Sequence, residues 1–60
     1  MSNIKVIVEG NFVGEANSTA EANTLARRMA YRLGYTGGNI QVKYINNDGS
    51  LIGMSSIYIS

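Results

Sequence analysis

Arg27, Arg28 and Arg32 place three of the chain's five cations in one short stretch, with Tyr31 among them and Tyr35 just beyond. Guanidinium groups pair bidentately with carboxylates and phosphates, and Arg and Tyr are enriched among the anchors of protein interfaces. The chemistry on offer is recognition of an anionic or protein surface. A structural account competes with it: cations near a helix C-terminus complement the macrodipole, and arginine stems and tyrosine rings cover apolar surface. The overall charge limits the nucleic-acid version. The formal net charge is only +1 over 60 residues, whereas phosphate binding draws its affinity from many cationic contacts. Arg27, Arg28, Tyr31, Arg32 and Tyr35 are therefore expected to contact a partner, a protein or ribonucleoprotein ahead of bare nucleic acid.

Catalytic chemistry has little to work with. The chain has no His and no Cys, which removes disulfides, thiolate or imidazole metal ligation, and a His-activated nucleophile. Glu9 and Glu15 flank the first expected hairpin and could share acid–base work or a divalent ion; two solvated strand residues are the plainer reading. Ser55 and Ser56 have no visible base. Thr36-Gly37-Gly38-Asn39 lacks a lysine and follows a helix instead of opening one, unlike a phosphate loop. Asn46 to Ser50 lacks the later glutamate of a calcium loop and reads as a turn. No enzymatic activity, metal or cofactor is expected.

The elements that must carry these residues follow from local pattern. Ile4 to Glu9, IKVIVE, is β-branched and suits a strand. Gly10-Asn11 supplies a two-residue turn into a short return strand, Phe12 to Ala16, in which Gly14 marks a bulge. Ser18-Thr19-Ala20-Glu21 has capping-box spacing, and Ala22, Leu25, Ala26, Met29 and Leu33 then recur as one apolar stripe. Gly34 sits where a left-handed cap ends the helix. Tyr35 to Asn39 is a loop, Ile40 to Ile45 alternates as a half-buried strand, Asn46 to Gly49 is turn chemistry, and Leu51 to Ile59 is the last strand. The layout is a single α+β domain spanning 1–60, ββαββ, with a four-stranded, mainly antiparallel sheet and one helix on one face.

One helix covers one face of such a sheet. The inward set is expected to be Ile4, Val6, Val8, Phe12, Ile40, Val42 and Tyr44, yet the opposite parity holds Ile7, Val13 and Ile45. The last strand is apolar in both parities, with Leu51, Ile57 and Ile59 on one side and Ile52, Met54 and Tyr58 on the other. A strand apolar on both sides is normally buried on both, and an exposed apolar patch usually marks an interface. A domain of this size buries only about 60% of its unfolded surface and commonly gains stability from a disulfide, a metal or a second subunit. Ile7, Val13, Ile45, Ile52, Met54 and Tyr58 are accordingly expected to form a homo-oligomer interface, at the uncovered face or the last strand's edge. No apolar run approaches the roughly 18 residues of a membrane span. The segment MSNIKVIVEG lacks the features of a signal peptide, so the Asn17-Ser18-Thr19 sequon carries no weight and a cytoplasmic location is expected.

The helix sequence S-T-A-E-A-x-x-x-A-x-x-M-A-x-x-L-G, followed by strand, Asn-Asp-Gly and strand, resembles small prokaryotic and phage-encoded ββαββ proteins. The shared skeleton is Glu21-Ala22, Ala26, Gly34, Asp48-Gly49 and Ile52. Certain phage anti-CRISPR proteins are similar in layout, and they act by stoichiometric occupancy of a surveillance complex. The resemblance implies a non-enzymatic binder working in a host cytoplasm. It rests on capping, turn and core positions and assigns no binding residue.

Overall fold

The computed structural model describes residues 3–35 and 37–59. The elements follow as β1 (Ile4–Val8), β2 (Asn11–Ala16), α1 (Thr19–Arg32), β3 (Gly38–Ile45) and β4 (Leu51–Ile59). The strands form one antiparallel sheet ordered β2-β1-β3-β4, the expected ββαββ arrangement. Of the expected loop over 35–39, Gly38 and Asn39 belong to β3, and Thr36 lies outside the described residues.

The first hairpin turns one residue earlier than its sequence suggests. Val8 lies opposite Asn11, so the turn is Glu9-Gly10, with φ of 49° and 84°. Two successive left-handed residues make the type I′ turn that matches strand twist. Glutamate is an unusual occupant of that region. Its side chain explains the choice, since Glu9 Oε2 accepts from the Gln41 backbone N–H at 2.7 Å. The Glu9 N–H in turn donates to the Gln41 carbonyl at 2.9 Å. An Asn11 turn would forgo this clamp onto β3.

A bulge in β2 then reverses which residues face the core. Gly14 lies opposite Val6 but Phe12 opposite Ile7, leaving Val13 as the extra residue. Gly14, at φ 150°, adopts a backbone that side chains resist. The side-chain period of two makes a one-residue slip flip everything beyond it. Phe12, expected inside, is 59% exposed on the open face. Val13, expected on the open face, is half-buried against the core. The same glycine lets strand and helix meet: a Cβ at Gly14 would sit 3.1 Å from Leu25 Cδ2. A second register shift pairs Tyr44 with Gly53 and Ile45 with Leu51. Ile52 is the extra residue there, and Leu51 joins Ile45 on the open face instead of siding with Ile57 and Ile59.

The helix caps through Ser18 and Glu21 as its sequence specifies, but the glutamate bonds the N–H of Asn17, one residue before the cap, instead of that of Ser18 itself. Ser18 Oγ accepts from the Glu21 N–H at 3.2 Å, while Glu21 Oε1 reaches back to the Asn17 N–H at 3.4 Å. At the other end the Gly34 N–H bonds Tyr31 O and the Tyr35 N–H bonds Ala30 O, with Gly34 at φ 91°. That is a Schellman closure. The buried face is narrower than the expected stripe: Ala22, Ala26 and Ala30 are fully buried, four residues apart. Leu25 and Met29 flank them half-buried, and Leu33, at the C-cap past the last helical residue, is 47% exposed. Alanines bring the helix backbone close to the sheet, and the larger side chains are displaced to its sides. The core beneath is Ile4, Val6 and Val8 of β1, Ile40, Val42 and Tyr44 of β3, and Ile57 and Ile59 of β4.

Candidate functional site

The carboxylates do not assemble into a catalytic pair. Glu9 is held in the turn by Gln41, whereas Glu15 lies opposite Lys5 further along the hairpin and accepts from Asn3 Nδ2 at 3.1 Å. The hairpin separates the two side chains that the sequence brings together. Among the described residues no three acidic side chains gather as a metal site would require. Glu15 and Glu21 do line an open groove of about 430 Å³ between β2 and α1, with Leu25 in its wall and Arg28 at its margin. Both carboxylates already hold structural hydrogen bonds, with Asn3 and with the Asn17 N–H.

Asp48 is likewise a structural group. Its Oδ1 accepts from Ser50 Oγ at 2.6 Å and from the Ser50 N–H at 2.9 Å, closing the turn in which the Gly49 N–H bonds Asn46 O. The Ser50 side-chain bond, then its backbone bond, lower the Asp48 pKa below the usual 3.8. A depressed native pKa adds stability that is complete above the unfolded value and is lost as pH falls through the native one. The stability advantage of wild type over Asp48→Asn should therefore hold steady near neutrality and shrink below about pH 4. Urea unfolding of both chains across that range reads it, and a pH-independent difference would contradict it.

The basic helix surface faces solvent as one arc of about 140°, on which Arg28 and Tyr31, three residues apart, are neighbours. Arg27, Arg28 and Arg32 are exposed, and Tyr31 is 50% exposed. At 100° per residue, Arg27 and Tyr31 lie toward one side of the arc, four residues apart. Arg28 and Arg32 each lie about 100° further round it, and Arg28 leans toward the β2 groove. No side-chain hydrogen bond among the described residues engages any of the four. Tyr35 differs, being half-buried and packed against the core.

The open face of the sheet has a definite layout. Cross-strand partners share a face, so Phe12, Ile7, Lys43 and Met54 form one row across β2-β1-β3-β4, and Glu15, Lys5, Ile45 and Leu51 form the next. Gln41 pairs with Ser56 and Asn39 with Tyr58. The central strands thus put Lys5, Lys43, Gln41 and Asn39 on this face. Its exposed apolar residues lie at the margins: Phe12 on β2, and Leu51 (53%), Met54 (58%) and Tyr58 (64%) on β4, with Ile52 at the bulge (44%). Ile7 and Ile45 are half-buried between them. Of the residues expected on the uncovered face, Val13 packs against the core instead, whereas Phe12, expected inside, and Leu51, expected on the side of Ile57 and Ile59, lie on the open face. The total accessible surface, 3799 Å², equals the roughly 3,800 Å² expected of a folded monomer of this mass. What is unusual is where the apolar surface lies, not how much surface there is. Among the described residues no helix is long and apolar enough to cross a membrane.

No protein-family model, curated protein or solved structure matches this chain.

Proposed function

We propose that this chain is a small non-enzymatic interaction protein that associates with itself through the β4 side of its sheet and holds a macromolecular partner against the solvent side of α1. The observation that carries the reading is β4: exposed Leu51, Met54 and Tyr58 lie along a strand at the edge of the sheet. Exposed apolar strips of this kind mark contact surfaces. Arg27, Tyr31, Arg28 and Arg32 support the partner half of the proposal, because they are exposed and, among the described residues, their guanidinium and hydroxyl groups make no side-chain hydrogen bond and so remain open to a partner. A protein or ribonucleoprotein that presents carboxylates or phosphates fits them best. Stoichiometric inhibition of a host complex in the cytoplasm, by a phage or mobile element, is one activity of this kind.

A nucleic-acid module is the second reading, and it uses the same arginines. The double variant Arg27→Glu/Arg28→Glu removes one cation from each side of the arc without touching the alanine-lined core face. Capture from a host lysate should lose its partner in this variant, whereas wild-type capture should survive nuclease treatment. A nuclease-sensitive capture that weakens steeply with added salt would favour nucleic acid instead. Unchanged capture by the double variant would remove the helix surface from the account.

A further inference from the structure

The two edges of this sheet are built differently. Edge strands present unpaired N–H and C=O groups that recruit other strands, and proteins blunt them with bulges, charges or short length. β2 has two of these: a bulge at Val13 beside Gly14, at φ 150°, and the charge of Glu15. β4 spans nine residues, LIGMSSIYI, with no charged residue and no proline. Its only register shift falls at Ile52, so Gly53–Ile59 continues as regular strand with one side unpaired.

We infer that the occupant of this edge is β4 of a second copy, paired antiparallel about a two-fold axis at Ser56. The inference rests on the self-association proposed above and specifies its geometry. Ser56 is the midpoint of the regular segment, so this register gives the longest overlap free of the bulge. It sets Met54 across from Tyr58 of the partner subunit on the open face, a favourable sulfur–aromatic neighbourhood. Gly53 and Ser55 fall opposite the partner's Ile59 and Ile57 on the helix face, so large side chains meet small ones. A two-fold normal to the sheet keeps both helices on the same side. Closure follows from the contrast between edges. Pairing consumes both unguarded strands and leaves an eight-stranded sheet bounded by two guarded β2 edges, so assembly stops at two chains.

Face-to-face stacking is the other geometry available to an apolar sheet surface. Here it would bury Lys5 and Lys43, which lie on the two central strands. Burying unpaired ammonium groups is costly. Edge pairing leaves both lysines in water and, on the open face, brings together Met54, Ser56 and Tyr58 of the two copies.

Because the chain contains no cysteine, single-cysteine reporters separate the geometries. Directly paired open-face residues have Cβ atoms about 4.5–5.5 Å apart, close to disulfide reach. Ser56→Cys, a near-isosteric change at an exposed site, should cross-link to a covalent dimer under mild oxidation. It should do so at least roughly tenfold faster than Lys43→Cys at the face centre or Glu15→Cys on β2, whose sulfurs the proposed geometry holds apart. Sedimentation of the same reduced samples reports mass independently. A two-chain particle in which Lys43→Cys cross-links as fast as Ser56→Cys, or in which neither does, overturns the edge geometry and leaves self-association standing. A one-chain particle in all reduced samples overturns both.

Discussion

Ala26→Leu is expected to unfold the domain or bring it to the threshold of unfolding. Ala26 is fully buried at the centre of the Ala22–Ala26–Ala30 spine, where the helix backbone approaches the sheet. Added methylenes in a closely packed site cost about 1–3 kcal/mol and sometimes more. Here the neighbours above and below along the helix are also buried, so lifting the helix locally would strip Val6, Val8 and Val42 of their cover. A domain of this length has a total stability of about 3–9 kcal/mol, so the substitution removes a large fraction of it. Leu33→Ala makes the contrast. Leu33 belongs to the stripe expected from sequence but is half exposed at the C-cap, and its truncation should cost under about 1 kcal/mol. Urea unfolding followed by circular dichroism compares the two. A larger loss for Leu33→Ala would mean that the helix packs through its leucine side and not through its alanines.

Met54→Lys is expected to convert a self-associated particle into single folded chains. Met54 is 58% exposed on the open face of β4, so lysine there leaves the core untouched. A lysine on an edge strand is one of the standard devices that prevent strand-to-strand recruitment. Under the proposed register it would also replace a sulfur–aromatic contact with a charge beside Tyr58 of the partner subunit, on both sides of the two-fold. The dissociation constant should rise by at least about tenfold, which corresponds to roughly 1.4 kcal/mol. Phe12→Lys is the matched control. It places the same charge on the same face and at similar exposure, but on β2, and should leave the assembly intact. Equal dissociation by the two variants would point to the whole face as the contact.

The parts of this molecule legible in its sequence are those determined by local chemistry. Ser18 and Glu21 at one end of the helix, Gly34 at the other and the Asp48-Gly49 turn each solve a backbone problem within a few residues, and each occurs where expected. The ββαββ order follows from these stops and starts. Facing was harder, because it accumulates register. Gly14 signals a bulge, but not that Phe12 would turn out and Val13 in. Nothing before the pairing with β3 distinguishes Ile52 from its neighbours as the extra residue. The turn at Glu9-Gly10 depends on Gln41, more than thirty positions away, and no local rule reaches that far. The helix stripe misled for a different reason: hydrophobicity ranks leucine above alanine, whereas close approach to a sheet selects for small size. The basic cluster was visible from the start. Its order round one solvent-facing arc, Arg27, Tyr31, Arg28 and Arg32, follows from the helix period once Ala26 is known to mark the buried line.

Sedimentation equilibrium of the wild-type chain at micromolar concentration tests the account most directly, because the β4 side is proposed to meet another copy of itself. The expected result is a concentration-dependent shift from the 6.5 kDa chain to a particle of twice that mass, with no larger species. A single 6.5 kDa species at every concentration would contradict it.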